Sequence, residues 1–330
     1  MHMNNEVLII SFSFEQEPET IVRLKEAGLN PIVWKAEDRK DATEDDLIKY
    51  YQALPKKPSG IIMGADIKVT NRFFEAAPEI EEISLNCAGY DHIDLESAKK
   101  HHVTVMNVPR HNFDAVADLD MGLILSTMRN IVKGDKAIRS GVWNKGVERS
   151  MAVTGKTLGI IGFGAIGRAL AQRASGFEMK KIAYDPFPNE ERAKQLGVTY
   201  VSLDELYAQS DVIVLACNLT ADNYHMINES AISKMKNSVT LVNAARGGLI
   251  DMDALYRALK EKTIACAALD AFETEPLLDS PLFDLDNVVL TPHIGGLADK
   301  QIHDVAMGSV VNYISFYKDP EHCENVLTKE

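Results

Sequence analysis

Over the first hundred or so residues, short apolar runs alternate with stretches whose apolar positions recur at helical spacing. Val7–Ser11, Ile32–Trp34, Gly60–Met63, Ile83–Leu85 and Val103–Met106 predict strands, and Glu19–Ala27, Glu44–Ala53, Asn71–Ala76 and Leu95–Lys100 predict the helices between them. Strands this evenly apolar are buried on both faces, so the alternation predicts a parallel sheet covered by helices on each side. Pro31, Pro55, Pro58 and Pro78 read as breakers between elements.

A long apolar-periodic helix follows, from Asn112 to about Arg129, then a second helical stretch over Ile131–Ser140. A new β-α series begins with Thr157–Ile161 and continues through Lys181–Tyr184, Val212–Leu215, Val239–Val242, Ile264–Leu269 and Val288–Leu290, six strands in all. A final helix spans about Asp299–Tyr317. Because it lies beyond the last of these strands, it is placed to return and pack on residues near the N-terminus.

The join between the first strand of the second series and its helix changes the picture most. Gly162-Phe163-Gly164-Ala165-Ile166-Gly167 is G-x-G-x-x-G directly after an apolar strand, and the next strand ends on Asp185. Gly162 permits the tight turn, Gly164 lets backbone approach a pyrophosphate, and Gly167 lets the helix lie close on the strand. The helix N-terminus offers unpaired N–H groups and a positive dipole end to phosphates. Asp185, about 20 residues beyond the glycines, is positioned to accept hydrogen bonds from ribose hydroxyls. Its charge also repels a 2′-phosphate, so NAD is expected over NADP.

Composition narrows the class of partner. The chain has 330 residues, 46% of them hydrophobic and 25% charged, which suits a soluble protein of two domains. A net charge of −13 argues against nucleic acid or an anionic membrane as partner, and means that an anionic substrate needs a local positive pocket. No apolar run approaches the roughly 20 residues that span a bilayer, and Met1 to Glu6 shows no basic segment leading into a signal-type core. Cys87, Cys217, Cys266 and Cys323 are scattered without a C-x-x-C pair, and no H-E-x-x-H occurs, so no metal and a cytoplasmic setting are expected.

Polar residues at strand ends are the candidates for chemistry. Arg246 follows Val239–Val242 and precedes two glycines; its planar fork suits a carboxylate, though a solvated loop arginine looks the same in sequence. Asp270 ends its strand and Glu275 precedes Pro276, in what is otherwise an acidic loop. His293 stands at the end of the last strand beside Gly295 and Gly296, and histidine is the usual proton donor in carbonyl reduction. His101, His102, His225 and His303 read as surface positions. In the first domain, Asn86-Cys87-Ala88-Gly89-Tyr90-Asp91 follows a strand with small residues whose backbone N–H groups can hold a carboxylate as a nest, with Asp94 capping the next helix.

These segments, in this order, resemble the D-isomer-specific 2-hydroxyacid dehydrogenases over nearly the full length. The resemblance rests on Asn86–Asp91, the glycine fingerprint, Asn243-Ala244-Ala245-Arg246-Gly247, Asp270-Ala271-Phe272-Glu273-Thr274-Glu275-Pro276 and Thr291-Pro292-His293-Ile294-Gly295-Gly296. It implies two doubly wound α/β domains: a Rossmann NAD-binding domain, 107–298, inserted into a flavodoxin-like substrate domain formed by 1–106 and 299–330. It implies Arg246, Glu275 and His293 as catalytic residues, and backbone N–H groups of Ala88 and Gly89 for the substrate carboxylate. It implies cofactor contacts from Gly162, Gly164, Ala165, Ile166, Gly167, Asp185, Ala244, Ala245, Arg246, Asp270, His293 and Gly295, and a homodimer assembled through the long helix Asp114–Met128.

Departures from the family pattern refine this. Ala216-Cys217-Asn218-Leu219-Thr220 stands where many members have His-x-Pro-Leu-Thr, which leaves the adenosine side of the cofactor site open. Glu275, not glutamine, counts against a formate dehydrogenase. Met63-Gly64-Ala65-Asp66 lacks the arginine that phosphoglycerate dehydrogenases often carry near the third strand, so a small unphosphorylated acid such as glyoxylate, hydroxypyruvate or pyruvate is expected. The alternatives are phosphoglycerate dehydrogenase, a corepressor-like NAD(H)-sensing binding protein on the same fold, and an amino-acid dehydrogenase.

Overall fold

The computed structural model describes residues 4–39, 41–109, 112–143 and 150–329. Met1 to Met3, where the absence of a leader was partly read, lie outside the described residues. The chain divides into two compact units, Met1–Asn112 with Ala298–Glu330, and Phe113–Leu297. The boundaries read from sequence, 106/107 and 298/299, differ from these because the segment after the fifth strand packs with the first unit.

The first unit holds five parallel strands: β1 (Glu6–Ile10), β2 (Asn30–Val33), β3 (Gly60–Met63), β4 (Glu82–Leu85) and β5 (Thr104–Met106), in the order β2-β1-β3-β4-β5. This is the flavodoxin-like order, with its switch point between β1 and β3. Alternate residues of β1 feed two cores, Val7 and Ile9 on one face and Leu8 and Ile10 on the other. The final helix, Asp299–Lys318, packs against β3, β4 and the helix Pro18–Glu26, and the Ser84 hydroxyl donates to the Ser309 carbonyl at 2.8 Å. Pro31 is not a breaker: it lies within β2, an edge strand, where a missing N–H costs no ladder bond.

The second unit holds seven parallel strands, one more than the sequence reading. They are β6 (Thr157–Ile161), β7 (Lys180–Tyr184), β8 (Val198–Tyr200), β9 (Val212–Leu215), β10 (Thr240–Asn243), β11 (Cys266–Leu269) and β12 (Val288–Leu290), ordered β12-β11-β10-β9-β6-β7-β8. The extra strand, β8, is three residues long and follows Gly197 in the left-handed region (φ +63). So short a run has too few positions to show a period. Helices Phe113–Met128 and Ala165–Ser175 cover one face, and the first buries Val116, Ala117, Met121, Leu123 and Ile124 in that core. Its high apolar content is therefore largely consumed within its own unit. The next helix, Ile131–Arg139, buries none of its residues there and leaves Ile131, Val132 and Ile138 exposed.

Candidate active site and cofactor cradle

The strand-to-helix turn after β6 is built by its own packing. Gly162 has φ +96, and a Cβ on it would lie 2.7 Å from the Ala216 backbone. A Cβ on Gly167 would run into the Gly162 carbonyl oxygen. Gly164 differs: a Cβ there meets nothing within 4 Å. Two glycines are demanded by the fold, and the third keeps open space over the start of the helix Ala165–Ser175. The first N–H groups of that helix, Ala165 and Ile166 among them, have no partner within the helix, so the cradle fits a pyrophosphate.

Asp185, at the end of β7, is fixed at both oxygens. Oδ2 accepts the Phe163 amide at 2.7 Å and Oδ1 the Phe187 amide at 2.8 Å. A carboxylate has about four lone-pair sites, so each oxygen still has room for a ribose hydroxyl. The same residue that reads as a ribose contact thus also pins the glycine turn.

Arg246, Glu275 and His293 come from three loops at the carboxyl ends of β10, β11 and β12. The first two loops are in backbone contact, because a Cβ on Gly247 would overlap the Phe272–Glu273 peptide. Arg246 follows a turn in which the Asn243 side chain accepts the Ala245 amide and donates to the Arg246 carbonyl, and its Nη1 donates to the Ala245 carbonyl at 2.8 Å. The Glu275–Pro276 peptide is cis. Glu275 Oε1 accepts the Phe272 amide at 2.8 Å, and Oε2 sits 2.7 Å from His293 Nδ1.

His293 takes a left-handed backbone conformation, φ +53, and keeps about half of its side chain exposed. Its loop is held from below by Asp270, which is fully buried. Asp270 Oδ1 accepts the Thr291 hydroxyl at 2.6 Å and the Ile294 amide at 2.9 Å, and Oδ2 accepts the Gly295 amide at 2.8 Å. Asp270 is therefore first a brace for the histidine loop; a cofactor contact from it must use the remaining capacity of Oδ2.

The electrostatics follow this geometry. The hydrogen bond to Glu275 raises the His293 pKa; burial and the Arg246 charge oppose it, and the negative charges of Glu275 and Asp270 add to it. For Glu275, burial pushes upward, but the His293 and Phe272 hydrogen bonds, with the charges of His293 and Arg246, outweigh it and hold the carboxyl below its ordinary value. Both shifts favour the imidazolium–carboxylate form of the pair over the neutral one.

Three neighbours were not legible in the sequence. Thr291 braces Asp270. His225, read as a surface residue, stacks on Tyr224 and reaches Glu273 Oε1 at 3.1 Å, beside the Glu275 loop; the Tyr224 hydroxyl donates to the same oxygen. Asp120, from the helix Phe113–Met128, is fully buried near Asp270, with neither carboxylate oxygen partnered among the described residues.

In the first unit, the turn after β4 shows its carbonyls tied inward. Val108 N donates to the Cys87 carbonyl at 3.1 Å, Asn107 Nδ2 to Ala88 at 2.7 Å and Cys87 Sγ to Gly89 at 3.1 Å. In a planar trans peptide the N–H points opposite the preceding C=O. The Ala88 and Gly89 amides are thereby turned away from these partners, as an anion nest requires. Asp94 caps the next helix, accepting the Ser97 amide at 3.0 Å.

Comparison with known proteins agrees with this architecture. Residues 121–295 match the family model described as "D-isomer specific 2-hydroxyacid dehydrogenase, NAD binding domain". The chain is 39% identical over 315 residues to a glyoxylate reductase of Pyrococcus horikoshii, covering 92% of each. It is 42% identical over 238 residues to a hydroxypyruvate reductase of Thermotoga maritima, covering 71% of this chain and 77% of that one. Among solved structures, a D-lactate dehydrogenase of Aquifex aeolicus complexed with NAD and lactic acid superposes with a TM-score of 0.84 at 30% identity, covering 98% and 99% of the two chains. The chain belongs to the D-isomer specific 2-hydroxyacid dehydrogenases and is an NAD-dependent oxidoreductase acting on a CH–OH group.

Proposed function

We propose that the chain interconverts a small unphosphorylated 2-keto acid and its 2-hydroxy acid, of the glyoxylate, hydroxypyruvate or pyruvate type, with His293, Glu275 and Arg246 as its catalytic residues. The observation that carries this is the His293–Glu275 contact of 2.7 Å on a loop braced by buried Asp270. When bound, the reduced nicotinamide supplies the hydride that goes to the carbonyl carbon. His293, protonated and with Nδ1 occupied by Glu275, has Nε2 left to give its proton to the carbonyl oxygen as negative charge develops there. Glu275 fixes the ring orientation and keeps it charged until that transfer. Arg246 orients the substrate and stabilises the oxyanion, and the Ala88 and Gly89 amides hold the carboxylate. The test is NADH oxidation with a panel of 2-keto acids, repeated with His293→Ala. A variant as fast as the wild type would remove His293 from the mechanism.

We also propose a homodimer, with the surface just beyond the long helix that the resemblance implicated, Asp114–Met128, as part of its interface. The helix Ile131–Arg139 and the residues after it expose Ile131, Val132, Ile138, Val142 and Trp143, the last at 79%. Light scattering of the wild type and of Ile138→Asp tests this; a monomer in both cases excludes it.

A further inference from the structure

The segment that leads into the helix Glu229–Ser233 runs along the Arg246 loop and is bonded to it through backbone. His225 N donates to the Gly248 carbonyl at 2.8 Å, Ile227 N to the Leu249 carbonyl at 3.0 Å, and Asp251 N to the Ile227 carbonyl at 2.9 Å. Ile227 and Ile250 thereby form a parallel bridge. Side chains add to this contact. A Cβ on Gly248 would lie 3.3 Å from the Tyr224 ring, so the bare glycine lets that ring rest on the loop. His225 takes a left-handed backbone conformation, φ +52, which few residues other than glycine adopt. Its ring stacks on Tyr224 with the centroids 3.9 Å apart.

The same two side chains reach a second loop. The Tyr224 hydroxyl donates to Glu273 Oε1, and His225 Nε2 lies 3.1 Å from that oxygen, a donor's place beside a carboxylate. Glu273 leaves the main chain at the Phe272–Glu273 peptide, the unit that a Cβ on Gly247 would overlap. The Phe272 amide is in turn the donor to Glu275 Oε1 at 2.8 Å. Glu273 is thus tied at its side-chain end to Tyr224 and His225, and at its backbone end to the start of the Glu275 loop. Tyr224 and His225 therefore hold both the loop that carries Arg246 and the loop that carries Glu275.

We propose that Tyr224, His225 and Glu273 are positioning residues: a clamp that fixes the Glu275 loop against the Arg246 loop and so sets the aim of His293. This rests on the preceding reading of Arg246, Glu275 and His293 as catalytic. The clamp acts without touching substrate. Its effect passes through the Phe272–Glu273 peptide to Glu275, and from Glu275 Oε2 to His293 Nδ1, 2.7 Å away. A surface carboxylate held by one donor still swings about its own bonds, whereas two donors from a stacked pair of rings fix its direction. The charged groups that bear on His293 are Glu275, Asp270 and Arg246. Those beside the Tyr224 hydroxyl are Glu273 and Asp251. A Glu275 loop that drifts weakens the bond that keeps the imidazole protonated, so a lost clamp displaces the pH limb of the reaction. A general loss of stability does not.

The test is the pH dependence of kcat and KM with NADH and whichever of glyoxylate, hydroxypyruvate and pyruvate the wild type reduces fastest. It compares the wild type with Glu275→Gln, Glu273→Ala, Glu273→Gln and Tyr224→Phe, with a thermal melt of each. Glu273→Ala is expected to lower kcat by about tenfold or more and to move the falling limb to lower pH, as Glu275→Gln does. The keto-acid KM is expected to change little, because the groups that bind the ground state remain. Glu273→Gln keeps the acceptor oxygen without the charge and is expected to restore the wild-type limb, which separates position from charge. Tyr224→Phe keeps the stack and removes one donor; it is expected to fall between, and it carries the test if Glu273→Ala does not fold. A limb that Glu275→Gln moves, but neither Glu273→Ala nor Tyr224→Phe moves, overturns the clamp and leaves the His293–Glu275 pair standing. Equal displacement by Glu273→Gln and Glu273→Ala also overturns it, since charge is then responsible. A limb unmoved by Glu275→Gln, or no reduction of any of the three acids, removes the underlying reading and the clamp with it.

Discussion

His293 Nδ1 and Glu275 Oε2 lie 2.7 Å apart, on loops that leave different strands. The carboxylate raises the imidazole pKa, so with His293 as the proposed proton donor, keto-acid reduction is expected to persist above the usual histidine range. Reductive activity is therefore expected to be full at low pH and to be lost as pH rises through the raised pKa. Glu275→Gln removes the charge, so the falling limb of kcat moves to lower pH. Oxidation of the hydroxy acid, which needs the neutral ring, shows the opposite limb. A pH–rate profile in both directions checks this, and a limb that stays in place in Glu275→Gln counts against the pair.

Removing the proposed proton donor outright is a stronger perturbation. His293→Ala is expected to lower kcat by about 10²- to 10⁴-fold while NADH still binds, as read by quenching of protein fluorescence. Loss of NADH binding in parallel would make the histidine loop part of the cofactor site first.

Asp185 gives a prediction about cofactor choice. Asp185→Ser removes the charge that opposes a 2′-phosphate, and also the acceptor that holds the Phe163 amide. The ratio of kcat/KM for NADPH to that for NADH is expected to rise by an order of magnitude or so, about 1.4 kcal/mol, with a weaker NADH KM. An unchanged ratio shows that another group rejects NADPH.

The fingerprint glycines separate folding from binding. Gly167→Ala places a methyl group on the Gly162 carbonyl and is expected to cost about 1–3 kcal/mol of stability. Gly164→Ala meets no protein atom within 4 Å, so it should melt with the wild type and lose NADH affinity. Thermal melts and NADH titrations of the two variants distinguish the roles, and a Gly164→Ala protein that binds NADH normally moves the pyrophosphate elsewhere.

Asp120 is a stability prediction. Burial first, and then the charge of Asp270, hold its carboxyl protonated well above the ordinary range. Above the unfolded pKa the folded chain retains a proton that the unfolded chain has released, so this group makes stability fall with rising pH. Asp120→Asn keeps the shape without the ionisation. It should melt above the wild type at neutral and alkaline pH and converge with it near pH 4. A constant offset across pH would mean that Asp120 is charged in the fold.

What could be read from the chain alone was what local periodicity and fixed spacing encode. Two series of apolar strands and helices, the glycine turn with Asp185, and the residues ending β10, β11 and β12 are all set by short-range pattern, because each strand end aims its neighbours at the same edge of a parallel sheet. Tertiary structure decided what depends on residues far apart in sequence. It showed Asp270 braced with Thr291 beneath the histidine, and Arg39 paired with Asp66 from the loop after β3. It also placed Asp120 in the core and moved the apolar surface from the helix Phe113–Met128 to Ile131–Arg139. Such partnerships have no period and no spacing, since a buried charge or a buried apolar face is defined only by what the fold packs against it.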